Sequence, residues 1–207
     1  MDSKQYFNTV ANEWDKIREG FFSEKIRDSA LSLACVKPGK VAADIGAGTG
    51  FITEALIRAG LKVVAVDQSE AMLSIMKDKF AGVKDINFHL GEGERLPIPD
   101  NSIDFAFANM FLHHVESPST AIKEMARILK PDGRLVISDL DEHKFEFLKT
   151  EQHDRWMGFK REDVIQWYLK AGFQLVFVDD IGDRCCATSK CGSNNASITV
   201  FLALGAK

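Results

Sequence analysis

Apolar and polar positions alternate along this chain in two rhythms. Short runs rich in β-branched residues, at 41–45, 62–67, 87–90, 103–108, 134–139, 173–180 and 196–203, have the length and composition of strands. Between the early ones lie longer stretches, 49–59, 70–80 and 119–129, with apolar residues three and four apart. In the last of these, Ile122, Met125, Ile128 and Leu129 share one face. Strand and helix in regular succession predict an α/β fold whose sheet is mostly parallel and covered on both faces.

The punctuation agrees with this reading. Pro131 cannot continue the third helix, Asp132 and Gly133 turn the chain into the next strand, and "SPST" at 117–120 supplies capping hydroxyls. The last two strand-like runs are separated by "IGDRCCATSKCGSNN", which has no helical pattern. A loop joining a final antiparallel pair is expected there, because a parallel pair would need a crossover. Ahead of the first strand, Tyr6, Val10 and Trp14 lie on one helical face of a flank or lid.

Composition narrows the function. A length of 207 residues, with 45% hydrophobic and 27% charged residues, fits a single globular domain. No apolar run is long enough to span a bilayer, and the first residues lack the apolar centre of a signal peptide, so a cytoplasmic protein without a membrane partner is expected. A net charge of -4 with interspersed signs argues against nucleic acid as a partner. The four cysteines are expected to be thiols.

The stretch "VAADIGAGTGFITEAL" at 41–56 carries the chemistry. Gly46, Gly48 and Gly50 strip side chains from a strand-to-helix turn, which lets a ligand approach the backbone. A phosphate-binding P-loop would need a Gly-Lys-Ser/Thr ending, and a dinucleotide fingerprint would need glycine where Phe51 stands. Asp67 closes the next strand-like run. Alone it would read as a helix cap, but paired with the turn it reads as the acid that holds a ribose diol.

Asp44-Ile-Gly46-Ala47-Gly48-Thr-Gly50, Asp67, "GEGERLPIPDNSIDFAFANMFLHHV" and "LKPDGRLVISD" together resemble the class I S-adenosylmethionine-dependent methyltransferases, in the branch of the quinone-biosynthesis C-methyltransferases and many small-molecule enzymes. The likeness covers residues 41–139. It implies a Rossmann-like, seven-stranded sheet with its last strand antiparallel. It also implies S-adenosylmethionine as cofactor, S-adenosylhomocysteine as product, and a small-molecule acceptor methylated by a monomer or homodimer. The expected division is a lid at 1–40, a cofactor-binding core at 41–139, and a substrate-side segment with the final strands at 140–207.

Carried over by resemblance, the turn Gly46 to Gly50 lines the methionyl part of the cofactor, and Asp44 orders it from below. Asp67 takes the ribose hydroxyls, while Gln68 and Met72 flank the adenine. Glu92 and Gly93 stand where the family usually has Asp-Ala, Glu92 facing the adenine amino group. Asn109 faces the sulfonium end. Tyr6 and Trp14 belong to the lid.

A sulfonium methyl is already activated, so alignment and exclusion of water come first and a base is optional. His113 and His114 are candidate bases. The alternative is that one packs against the cofactor while the other faces solvent. The stretch 138–159 contains the metal-capable Asp139, Asp141, His143, His153 and Asp154, but the two histidines are ten apart. Solvated surface is expected for most of these five, with His143 and His153 on the substrate side and no resident metal. Trp156 and Phe159 read as core or pocket wall, and Cys35 as core.

Cys185, Cys186 and Cys191 lack zinc-finger spacing; they read as ordinary thiols of a surface loop or, alternatively, as a soft-metal site capturing an arsenite-type acceptor. A non-catalytic cofactor-binding sensor is the competing reading outside enzymes. A nicotinamide oxidoreductase is disfavoured by Phe51.

Overall fold

A computed structural model describes residues 3–207. In chain order the helices and strands are α1 (Ser3–Val10), α2 (Trp14–Glu19), α3 (Lys25–Ala34), β1 (Val41–Ile45), α4 (Phe51–Arg58), β2 (Lys62–Asp67), α5 (Glu70–Lys79), β3 (Ile86–Leu90), β4 (Ile103–Asn109), α6 (Pro118–Ile128), β5 (Leu129–Leu140), α7 (Phe147–Glu151), α8 (Arg161–Lys170), β6 (Leu175–Thr188) and β7 (Asn195–Ala206). Short 3-10 turns sit at Ala11–Glu13 and Leu112–His114.

The seven strands form one sheet in the order β3-β2-β1-β4-β5-β7-β6. β1 pairs in parallel with both β2 and β4, whereas β7 runs antiparallel to both of its neighbours. Chain order reverses between β1 and β4, so the loops leaving their carboxyl ends part and open a crevice there.

Strand periodicity divides the core. Ala42, Phe105 and Phe107 pack into one buried cluster, with residues of α3 and α4, while Ala43, Ala106 and Ala108 face the other, with residues of α6 and α8. Among the described residues no helix is long and apolar enough to cross a membrane.

Three expectations need correction. The segment expected as a loop at 181–195 is largely strand: β6 pairs with β7 from Arg184↔Thr199 to Thr188↔Asn195 after a register irregularity at Asp180/Arg184. Its alternation is Cys185 and Ala187 inward against Arg184, Cys186 and Thr188 outward, a period of two hidden by small and polar residues. Second, β5 already begins at Leu129, opposite Ile103, with Asp132 at φ +65° forming the irregular part. Third, Cys35 is exposed, because it ends α3 in a left-handed conformation at φ +50° with its N–H on Ser32 O.

α1, α2 and the turn between them lie across the crevice. Asn8 accepts from Ser69 Oγ at 2.6 Å and Asp15 from Thr49 Oγ1 at 2.6 Å, which ties this N-terminal layer to the starts of α5 and α4.

Candidate functional site

β1 delivers the glycine turn. Gly46, Gly48 and Gly50 have φ of +69°, +54° and +97°, which side-chain-bearing residues rarely adopt, so α4 starts only at Phe51. The Gly46 and Ala47 N–H groups donate to Val66 O at 2.9 and 3.0 Å, and Gly48 N–H donates to Asp67 Oδ2 at 2.8 Å. Beneath the turn, Asp44 Oδ2 accepts both the N–H and the hydroxyl of Thr53, at 2.9 and 2.6 Å. Burial pushes the Asp44 carboxyl up to about 7 despite these bonds.

Asp67 closes β2 almost fully buried, and burial raises its pKa against the backbone donors at Ser69 and Gly48. The cap of α5 is Ser69, whose hydroxyl accepts Met72 N–H at 3.1 Å. Asp67 is thus left at the crevice with the turn.

A cavity of about 480 Å³ opens here, lined by Asp44, by Gly46, Ala47 and Gly48 of the turn, and by Asp67, Gln68, Met72, Glu92, Gly93 and Asn109, whereas Gly50 packs toward Phe80 and Met76. Trp14 lines it from above, as does Arg18. Sequence reasoning missed Phe111. Its ring lies between Gly46 and Gly93 so closely that a Cβ on either glycine would overlap it. Only its place just past β4 hinted at this.

A second centre adjoins the first. Asp139, at the end of β5, is fully buried and receives four donors: Phe111 N–H and Leu112 N–H on Oδ2 at 3.1 and 2.8 Å, and His113 Nδ1 and Leu140 N–H on Oδ1 at 2.7 and 2.8 Å. Asp154 Oδ1 lies 3.9 Å from both His113 Nε2 and His114 Nδ1. Burial opposes a charge on His113, but Asp139, aided by Asp154, outweighs it and lifts the imidazole to about 9. His114 goes the other way: burial and the neighbouring His113 drive it well below its ordinary value. Burial pushes Asp154 up to about 6.

His113, His114 and Asp154 wall a cavity of about 50 Å³ with Tyr6, Gln152 and Cys185. Phe7, Trp14, Met110 and His114 line both cavities, so the two meet at His114. Tyr6 Oη donates to Gln152 Oε1 at 2.5 Å, its ring lies 5.1 Å from that of His153, and Phe7 meets His114 edge-on at 4.9 Å.

Surface was expected for most of 139–154, and the structure corrects this. Asp139, His143 and Asp154 are buried, and neither His113 nor His114 faces solvent. His143, lowered to about 4 by burial and the nearby His113, is not brought together with His153. Asp141 is held in a two-pronged pair with Arg161 at 2.8 and 2.6 Å. Phe159 is core, while Trp156 is exposed with its indole N–H on Val115 O at 2.9 Å.

Residues 43–137 match the family model described as "Methyltransferase domain". This segment, which runs from β1 into β5, is similar in sequence to the methyltransferase-domain family. It is 35% identical over 136 residues to a demethylmenaquinone methyltransferase of Paenarthrobacter aurescens (strain TC1), covering 64% of this chain and 53% of that protein. It is 32% identical over 173 residues to the chloroplastic 2-methyl-6-phytyl-1,4-hydroquinone methyltransferase 1 of Oryza sativa subsp. japonica, covering 81% and 52%. The chain thus spans about half the length of the curated relatives it matches.

Two solved structures share the fold. The putative methyltransferase in complex with the Haloferax volcanii Trm112 activator gives a TM-score of 0.81 at 19% identity, over 99% of this chain and 97% of that one. Phosphoethanolamine N-methyltransferase 2 of Haemonchus contortus, bound to S-adenosyl-L-methionine, gives 0.72 at 17% identity, over 87% and 52%.

The three clustered cysteines do not form one site. Adjacent residues on a strand point to opposite faces: Cys185 is buried, its thiol pushed up to about 12, and Cys186 is exposed. Cys191 sits in the following turn, where the hydroxyls of Ser189 and Ser193 lower it to about 7.

Proposed function

We propose that this chain transfers the methyl group of S-adenosylmethionine to a small-molecule acceptor. One observation carries this reading: the side-chain-free turn, Asp67 and the Glu92-Gly93 pair converge on a single cavity that adjoins a second, ionisable one at His114. The cradle fits the cofactor because the buried Asp67 carboxyl, the apolar Met72 and the side-chain-free Gly48, which faces only Trp14, line one cavity of about 480 Å³.

When bound, the cofactor supplies a sulfonium methyl already activated for transfer. The residues have the work of placing it. Gly46, Ala47 and Gly48 admit its methionyl part beside α4, whose cap offers no side chain of its own, and Asp44 braces them through Thr53. Asp67 accepts the ribose hydroxyls. Gln68 and Met72 flank the adenine, Glu92 accepts its amino group, and Asn109 stands at the sulfonium end.

The acceptor enters the smaller cavity, where His114 is neutral and its Nδ1 has no hydrogen-bond partner, as a base requires. His113 balances Asp139 and Asp154 beside it. Tyr6 and Trp14 close the two cavities from the N-terminal layer, excluding water; His153 backs Tyr6 and His143 fills in behind His113. The quinol and quinone names of the relatives make phenolic and quinol compounds the first acceptors to try.

Calorimetry with S-adenosylhomocysteine, S-adenosylmethionine and NAD tests the reading. Asp67→Ala should weaken the sulfur cofactors by about 1–3 kcal/mol, the range for hydrogen bonds to a charged group. Release of S-adenosylhomocysteine with a phenolic acceptor completes the case. Binding of NAD alone would overturn it.

A further inference from the structure

We propose that His113 Nε2, His114 Nδ1 and Asp154 Oδ1 bind a divalent transition-metal ion of the zinc type at the wall of the smaller cavity. Among the described residues this is the one group of three histidine, cysteine or acidic side chains whose ligand atoms lie within 4.8 Å of one another.

The geometry is close to what an ion would need. Ligand atoms at about 2 Å from a tetrahedral ion stand about 3.3 Å apart. Asp154 Oδ1 is 3.9 Å from each nitrogen, beyond hydrogen-bond length and short of any clash, so small side-chain rotations bring the three together. Two nitrogens and one carboxylate oxygen, with a fourth position open, are the donors of a non-structural zinc site.

The surroundings argue the same way. A ligating histidine almost always gives its other ring N–H to a carboxylate or backbone carbonyl, which fixes the tautomer and aims the free lone pair. His113 Nδ1 meets the buried Asp139 at 2.7 Å. His114 makes its ring hydrogen bond with the backbone of His153, and its Nδ1 is buried without a partner. An unpaired buried ring nitrogen is costly, and so is a buried carboxylate whose nearest cationic groups lie 3.9 Å away; an ion satisfies both. It takes the place of any proton on His113 Nε2 and so keeps the balance against Asp139 and Asp154.

The open position faces the cavity shared with Tyr6 and Gln152, where it takes an oxygen ligand. On the methyl-transfer reading, on which this last point rests, that ligand is the acceptor atom, and the ion, by lowering the acceptor's pKa, replaces His114 as the group that activates it.

The test uses the full chain stripped by chelator, titrated with Zn²⁺ by dye competition and with Co²⁺ by visible absorption. One equivalent should bind. Asp154→Asn or His114→Gln should weaken Zn²⁺ by more than about 100-fold, and Asp139→Asn, which only positions His113, by about 10–100-fold. A Cys186→Ser/Cys191→Ser double variant should bind as wild type does. Zn²⁺ should raise the unfolding midpoint of wild type and not that of His114→Gln.

If a variant fails to fold, the wild-type Co²⁺ spectrum still decides, since thiolate ligation adds intense near-ultraviolet bands that histidine and carboxylate do not. Thiolate bands, absence of binding, or binding that survives Asp154→Asn and disappears in the cysteine variant would overturn the proposal. S-adenosylhomocysteine titrations run in parallel separate it from the methyl-transfer reading. Cofactor binding without metal binding rejects only the ion, and metal binding without cofactor binding rejects only its role toward an acceptor.

Discussion

The two cavities that meet at His114 are built from different materials. The larger owes its shape to backbone: three glycines in left-handed conformation, N–H groups turned onto Val66 and Asp67, and a fourth glycine against Phe111. The smaller is walled by side chains, apolar ones such as Phe22, Met110 and Leu148 around an ionisable group of His113, His114 and Asp154 that the buried Asp139 holds from behind, with Tyr6 and Cys185 at its edge. A backbone cradle tolerates no added atoms but carries little charge. A cluster of buried ionisable groups must above all keep its electrostatic balance. The first therefore breaks on sterics, the second on hydrogen bonds and protons.

The largest effect is expected from Gly46→Ala. Its φ of +69° and the overlap of a Cβ with Phe111 should together cost about 2–5 kcal/mol, divided between folding and cofactor affinity. Adding Phe111→Ala should recover the steric part and not the conformational part, a split that denaturant unfolding and S-adenosylhomocysteine titration measure. Full recovery would show that the backbone conformation is immaterial and blur the contrast between the cavities.

Asp44→Asn probes the one buried charge beneath the cradle. The carboxyl sits at about 7 in the folded chain against an ordinary 3.8, so the folded state holds an extra proton between those values. Its contribution to stability is complete below pH 3.8 and is lost as pH rises through 7, at about 1.4 kcal/mol per pH unit inside the window. Both Thr53 bonds fall on one oxygen, which an amide oxygen can replace. The variant should therefore gain on wild type between pH 5 and pH 8 in paired urea unfolding curves, and a constant difference would contradict the assignment.

The smallest effect is expected from Tyr6→Phe. Losing the Gln152 hydrogen bond should cost about 0.5–1.5 kcal/mol of stability and raise the KM for the acceptor, with S-adenosylhomocysteine affinity unchanged. A change in cofactor affinity instead would mean that the cavities are not separable.

The same contrast governs what the sequence discloses. The glycine turn and Asp67 were legible from their spacing along successive strands, and the family resemblance added Glu92 and Gly93 to the same wall. Phe111 stayed hidden because a ring filling the space between two glycines leaves no periodic trace. The histidine centre draws on segments more than a hundred residues apart. No spacing rule links Tyr6 to Gln152 or His113 to Asp154, and the acids at 139–154 looked solvated because charge is a poor guide once partners come from elsewhere. β6 was cut short for a related reason: Gly182, Asp183 and Ser189 resemble loop residues, while the pairing with β7 that overrides them is tertiary.

The hairpin of β6 and β7 also sets a timetable. Cys186 N–H donates to Phe21 O at 2.8 Å and Ser23 Oγ to Asp183 at 2.5 Å, so the segment before β1 is anchored by residues made some 160 positions later. As the chain leaves the ribosome, β1, β2 and β3 can pair and close the glycine turn as soon as residue 90 is free. The smaller cavity must wait for Cys185 and Ala187, nearly a hundred residues later. A nascent chain therefore forms the glycine turn well before it can close the smaller cavity.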